Sequence, residues 1–149
     1  MKALLQRVDW ARVRVDGAVV GQIGAGLLVF AACCKGDGRR QAETLAARVA
    51  RYRMFPDAAG KTNRSVLDTG GALLVVSQFT LAADTARGLR PSFDPAMAPA
   101  EAEALLSDFS AALRRLGAHV EEGRFGAEML VELQNHGPAT YLLECVPAL

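Results

Sequence analysis

Side chains that usually carry catalysis are scarce in this 149-residue chain, which has two histidines, three cysteines and one tryptophan. Cys33 and Cys34 are adjacent and Cys145 stands far away, so neither a disulfide framework nor a zinc-ligand spacing is present. Neighbouring strand residues point to opposite faces, which argues against a metal shared by Cys33 and Cys34. All three cysteines read as small buried hydrophobes. His119 and His136 show no metal spacing either, and no metal or cofactor is expected.

Charge of one sign is also missing. The net charge is +1, so nucleic-acid binding would have to rest on a local cluster rather than on a global field. The longest apolar runs, around 26–34 and 72–76, fall far short of the ~20 residues that a membrane span requires. Gln6, Arg7 and Asp9 interrupt the N-terminal segment at once, so no signal peptide is read and a cytosolic protein is expected. Nucleophile elbows, phosphate-cradling glycine loops and paired-carboxylate signatures are absent. A Ser–His–Asp triad can be drawn from Ser77, His136 and Asp84, but nothing in their spacing brings them together.

What is present is a globular composition, with 51% hydrophobic and 22% charged residues. A chain of about 150 residues buries roughly 70% of its unfolded surface. No internal repeat or linker is visible, so residues 1–149 read as one domain. Residues 2–8 alternate loosely toward Val13 and Val15. Asp16-Gly17 then signals a hairpin into Ala18-Val19-Val20. Residues 26–32 form a fully apolar strand. Ala42, Leu45, Ala46, Val49 and Tyr52 recur at helical spacing between Arg39 and Arg53, with Asp37 placed to cap the start. Residues 55–63 read as a loop, and Asp68-Thr69-Gly70-Gly71 as a turn into the next strand. Residues 82–99 form a long segment with little periodicity. A second helix runs from Pro99 to Leu116 and stops at Gly117. Short strands follow at 119–121, 129–134 and 141–143. The expected fold is α/β in the α+β sense: an antiparallel-rich sheet or barrel with two main packed helices.

Two strand ends break the pattern. Ala72–Val76 is apolar throughout, the mark of a strand buried on both faces, yet it ends in Ser77, Gln78, Phe79 and Thr80. Burying such groups unpaired costs roughly 1–3 kcal/mol each. The second is Asn135-His136-Gly137-Pro138-Ala139-Thr140. A glycine before proline lets main chain approach a ligand with no Cβ in the way. A cis Gly137-Pro138 bond would aim two carbonyls outward together; a plain trans turn is the other reading.

Ser77-Gln78-Phe79-Thr80-Leu81 and residues 135–140 resemble the two signature motifs of the D-aminoacyl-tRNA deacylases, also called D-tyrosyl-tRNA deacylases. The similarity extends through Leu5-Gln6-Arg7-Val8, Arg53-Met54-Phe55, Gly60-Lys61, residues 65–68, residues 88–93 and residues 123–127. The resemblance implies a homodimeric cytosolic hydrolase. It would cleave the ester between a D-amino acid and the 3′ end of tRNA, and also remove glycine mischarged onto the alanine tRNA. It implies that Ser77, Gln78, Phe79 and Thr80 line the reacting ester. Gly137 and Pro138, joined by a cis bond, would reach across the dimer to reject L-amino acids, with Asn135, Ala139 and Thr140 beside the substrate. A patch of Arg87, Arg90, Lys61 and Arg64 is our expectation for tRNA phosphates.

His136 stands where the family usually has an acidic residue, and Ala139 where it has valine. Cys33-Cys34 replaces small residues. Two other readings stay open on sequence alone: a non-catalytic dimeric module that binds aminoacyl-tRNA, and a hydrolase using Cys33, Cys34 or Ser77.

Overall fold

The computed structural model describes residues 1–148. In chain order come β1 (Lys2–Val15), β2 (Ala18–Ile23), β3 (Gly26–Ala32) and α1 (Arg39–Arg51). A small hairpin of β4 (Phe55–Pro56) and β5 (Thr62–Arg64) precedes the single-turn α2 (Val66–Thr69). β6 (Ala72–Ser77) runs into a 3-10 turn over Phe79–Ala82, followed by α3 (Pro99–Arg115), β7 (His119–Glu122) and β8 (Leu130–Glu144).

β1 organises the sheet because it is long enough to be shared. It pairs antiparallel with β3 along its first half and with β2 along its second, while β8 runs antiparallel beside both halves. The β1–β2 turn is the tight hairpin that Asp16-Gly17 predicts, with φ of 50° and 79° at its two residues. β3, β6 and β7 pair in parallel. Parallel strands need crossovers, and α1 and α3 supply them. The sheet curls until β2 abuts β7: a Cβ added at Gly21 would lie 2.4 Å from the carbonyl oxygen of Glu122. The result is a nearly closed, barrel-like α+β fold.

Its two apolar layers follow from strand alternation. One layer fills the curl with Val8, Val13, Val15, Ile23, Leu28, Leu74 and Val76. The other packs Leu5, Leu27, Val29, Leu73 and Val75 against Leu45 and Val49 of α1 and Phe109 and Leu113 of α3. β6 contributes to both layers, as its unbroken apolar run requires.

Several sequence expectations change. α1 ends at Arg51 rather than Arg53, and Gly38 rather than Asp37 occupies its N-cap. Asp37 instead holds the Met1 ammonium at 2.6 Å, both groups being fully buried, and accepts the Cys34 N–H at 2.7 Å. The expected loop at 55–63 contains the β4–β5 pair. The expected turn at 68–71 begins inside α2, which Ser65 and Asp68 cap reciprocally and Gly70 ends at φ 68°. The last two expected strands, 129–134 and 141–143, are one strand, β8, with the second motif inside it. Cys34 and Cys145 are only half-buried; Cys33 alone is buried.

Candidate active site

β6 ends at Ser77, which pairs in register with Ala31 of β3. The Gln78 N–H donates to the Ala31 carbonyl at 2.8 Å, fixing the point at which the strand turns into the 3-10 segment. The amide Nε2 of Gln78 donates to the Thr80 hydroxyl at 2.5 Å. The Phe79 and Thr80 main-chain N–H groups make no hydrogen bond among the described residues. First-turn N–H groups have no acceptor within their own helix, which leaves these two donors free. Phe79 is 57% exposed, and its ring meets Phe93 edge-on at 5.1 Å between centroids.

Beside this strand end lies an apolar cavity of about 440 Å³, walled by Ala31, Cys33, Ser77, Gln78, Phe79, Phe93, Met97, Ala102 and Phe125, among others. A smaller cavity of about 240 Å³ adjoins it, sharing Ser77, Leu106 and Phe125 and adding Glu103 and Glu122. A large apolar hollow with a few convergent polar groups is the usual form of a small-ligand site. Sequence reasoning missed most of its wall. Phe93 and Phe125 come from loops far apart in the chain, Met97 from the loop just before α3 and Ala102 from its first turn. Only the aromatic residues within segments 88–93 and 123–127 hinted at it.

Cys33 lies in that wall, but not as a nucleophile. Burial, reinforced by the nearby Asp37 carboxylate, pushes its thiol up to about 12, so it stays neutral and unreactive at physiological pH. The triad also fails within the chain. Asp84 accepts the Ala86 N–H and pairs through its backbone with Ser92. The His136 ring faces Asp9 at 2.9 Å, and no hydrogen bond links Ser77, His136 and Asp84. Among the described residues no cluster of three histidine, cysteine or carboxylate side chains could hold a metal, and no helix is long and apolar enough to cross a membrane.

The second motif is elsewhere. None of residues 135–140 lines either cavity. They project from β8 opposite Arg7, and the Gly137-Pro138 bond is cis. The Asn135 amide donates to the carbonyls of Arg7 at 2.9 Å and Ala139 at 3.4 Å. The Arg7 guanidinium reaches the His136 carbonyl at 3.0 Å and the Met54 carbonyl at 2.7 Å. Gln6 donates to the Thr140 hydroxyl at 3.2 Å. Ala139 is buried in the core beneath the turn, whereas Gly137 and Pro138 are exposed.

The four basic residues expected to meet tRNA fall into two groups. Arg87 and Arg90 lie on the exposed loop between Asp84 and Ser92, next to Phe93 and hence to the first motif, and neither forms an ion pair among the described residues. Lys61 and Arg64 belong to the β4–β5 hairpin, which Arg7 ties through Met54 to the second motif. Arg64 also donates to the Asp68 carbonyl at 2.6 Å.

Comparison with known proteins gives one consistent result. Residues 4–144 match the family model described as D-Tyr-tRNA(Tyr) deacylase. A D-aminoacyl-tRNA deacylase of Ruegeria pomeroyi is 59% identical over 144 residues, covering 97% of this chain and 99% of its own. That of Methylococcus capsulatus is 53% identical over 147 residues, covering 99% of this chain and 96% of its own. A solved structure of a c-Myc DNA unwinding element binding protein superposes with a TM-score of 0.93 at 37% identity, over 99% of this chain and all (100%) of that one. A probable eukaryotic D-amino acid tRNA deacylase shares the fold at a TM-score of 0.83 and 16% identity, over 95% of this chain and 97% of that one. A family model spanning nearly the whole chain, and relatives well over half identical across it, place this protein in the D-Tyr-tRNA(Tyr) deacylase family.

Proposed function

We propose that this protein hydrolyses the ester between a D-amino acid and the 3′ end of tRNA, releasing the free amino acid and the tRNA. One observation carries the reading: a polar strand end with two unengaged main-chain N–H groups stands at the mouth of an apolar cavity. Water adds to the ester carbonyl, the developing oxyanion is held by the Phe79 and Thr80 N–H groups, and the C–O bond to the ribose breaks. Fixed donors aimed at developing charge supply the largest single catalytic contribution in most such sites. No histidine or lysine contacts the Thr80 hydroxyl, which already accepts from Gln78. A threonine nucleophile needs an adjacent base. Thr80 therefore orients, and the neighbouring 2′-hydroxyl of the terminal ribose helps to activate the water.

The finer assignments belong to the same proposal. The functional unit is a homodimer in which residues 1–149 act as one domain and the Gly137-Pro138 turn of one copy enters the cavity of the other. The separation of the two motifs within one chain supports this. So does β8, a strand paired on one side only that leaves Leu130, Tyr141 and Leu142 exposed. Asn135 and Thr140 support the turn from β8, and the turn's main chain excludes an L side chain while leaving glycyl esters acceptable. Arg87, Arg90, Lys61 and Arg64 meet tRNA phosphates, and the protein works in the cytosol, where charged tRNA is consumed.

The deciding experiment is hydrolysis of matched D- and L-tyrosyl-tRNA, with glycyl-tRNA alongside. Loss of the D and glycyl esters with the L ester intact is expected. Hydrolysis of both enantiomers would retain the deacylase and remove the filter. Binding without hydrolysis would instead make the protein a binding module.

A further inference from the structure

The register of β8 against β1 holds a second irregularity that the proposed chemistry does not use. Gln6 pairs with Thr140, and the next pair is Val8 with Asn135. Between those pairs β1 supplies Arg7 alone, whereas β8 supplies His136, Gly137, Pro138 and Ala139, so β8 loops outward. The following pair is Trp10 with Gln134, which leaves Asp9 as an extra residue on β1. The two strands therefore bulge side by side. Bulges re-aim side chains, and this one turns Asp9 onto the out-looped segment, where its carboxylate oxygen lies 2.9 Å from His136 Nδ1.

We infer that Asp9 and His136 form a clasp that aims the Gly137-Pro138 turn, making both of them positioning residues for stereochemical selection. His136 is the residue just before Gly137, and it is held at two points. Its carbonyl accepts from Arg7 Nε at 3.0 Å, and its ring is fixed by Asp9. A carboxylate can only accept here, so Nδ1 carries the proton and Nε2 is left to solvent. Both the neutral ring and the imidazolium satisfy that bond. The clasp therefore does not require the charged form. Neither residue makes another ion pair among the described residues, so removal of one strands nothing except its partner. The pair is well exposed, with side chains 61% and 52% accessible. Exposed pairs contribute up to about 1 kcal/mol, which corresponds to a change of roughly fivefold or less.

The inference rests on the reading of Gly137-Pro138 as a stereochemical filter, and the test separates the two. Wild type, Asp9→Ala, His136→Ala, the double variant and the exchanged pair (Asp9→His with His136→Asp) are compared. The readouts are the D-to-L ratio of tyrosyl-tRNA hydrolysis, the melting temperature and the 15N order parameter of Gly137. Each single variant should lower the ratio about three- to fivefold and lower the order parameter, with the melting temperature unchanged. The double variant should be no worse than either single one, and the exchanged pair should regain most of the ratio. Additive losses, or a ratio and order parameter that do not move, overturn the clasp. So does a His136→Ala effect confined to KM and to salt dependence, which would make His136 a tRNA contact. A wild type that does not discriminate would remove the filter instead. In that case a fall in the order parameter still supports the clasp, and an unchanged one overturns it.

Discussion

The two motif-bearing segments, one at the end of β6 and one inside β8, differ in what holds them. Ser77–Thr80 grows out of β6, whose Leu73, Leu74, Val75 and Val76 are all buried, in a parallel pairing with β3 that lies in the middle of the sheet. Residues 135–140 hang from a strand paired on one side only, and their anchors are the side chains of Gln6, Arg7, Asp9 and Asn135. The first is positioned by the core and is precise at no further cost. The second is positioned by polar contacts at the surface, which suits its proposed role of entering the cavity of a second copy. Damage to the first should therefore appear as lost stability, and damage to the second as lost selectivity.

Two glycines put that contrast to its strongest test. A Cβ at Gly26 would fall 1.9 Å from the Ala72 carbonyl oxygen and 2.8 Å from the Ala72 backbone nitrogen. Gly26→Ala therefore forces β3 away from β6 at the base of the strand that carries the proposed catalytic end. The expected loss is about 3 kcal/mol, the upper end of ordinary overpacking, or roughly 6–12 °C in Tm for a chain of this size, with activity falling in parallel. At Gly137 the same methyl comes within 3.1 Å of the Asn135 side-chain oxygen and otherwise makes ordinary contacts at 3.9 Å with Asn135 Cγ and the Ala139 nitrogen. Gly137→Ala should leave stability within about 0.5 kcal/mol while D-tyrosyl-tRNA hydrolysis falls about tenfold or more, since the methyl enters the proposed substrate face. Thermal melts beside single-turnover hydrolysis measure both. A destabilised Gly137→Ala, or a stable but inactive Gly26→Ala, would erase the distinction.

The end of β6 was legible in the sequence because polar residues interrupted an apolar strand, residues 135–140 stood out as a polar break although not as part of one strand, and the Asp16-Gly17 hairpin and both long helices were legible from local pattern. What escaped was non-local. A strand buried on both faces reads the same whichever neighbour it joins, so the parallel β3–β6–β7 pairing was invisible. The position of 135–140 inside one strand depends on register against β1, a relation across about 130 residues of chain. The cavity wall has the same character, since Phe93, Met97, Ala102 and Phe125 converge only when α3 lies on the sheet. Asp37 was misread for a different reason. It matched a capping position in sequence, but the buried Met1 ammonium is a stronger claimant than an uncharged helix N–H.

The basic residues extend the comparison to tRNA. Arg87 and Arg90 sit with the first motif, Lys61 and Arg64 with the second. If each contacts one phosphate, replacing Arg87 and Arg90 by alanine should reduce the slope of log kcat/KM against log salt by about 1.4–1.8, and Lys61→Ala alone by about half as much. An unchanged slope in the arginine pair would move the contact away from the first motif. Equal effects from both groups would mean that the tRNA spans both motifs.

The smallest effect concerns the hairpin that carries Lys61. The Asp57 carboxylate accepts the Lys61 and Ala59 N–H groups at 3.0 and 2.9 Å. The Lys61 N–H, chiefly, holds it below the usual carboxylate range, against the opposing effect of partial desolvation. A group whose folded-state pKa is depressed stabilises the fold above its unfolded value and loses that contribution as pH falls through the folded one. The turn should therefore be intact at neutral pH and loosen only in acid, below the range in which free aspartate titrates. Following the Lys61 and Ala59 amide resonances as pH is lowered measures this directly. A midpoint at or above the usual aspartate value would mean that Asp57 does not hold the turn. In Asp57→Asn the acid transition should vanish while hydrolysis at neutral pH changes by less than about twofold, because the hairpin's proposed role is contact with tRNA phosphates and not the breaking of the ester.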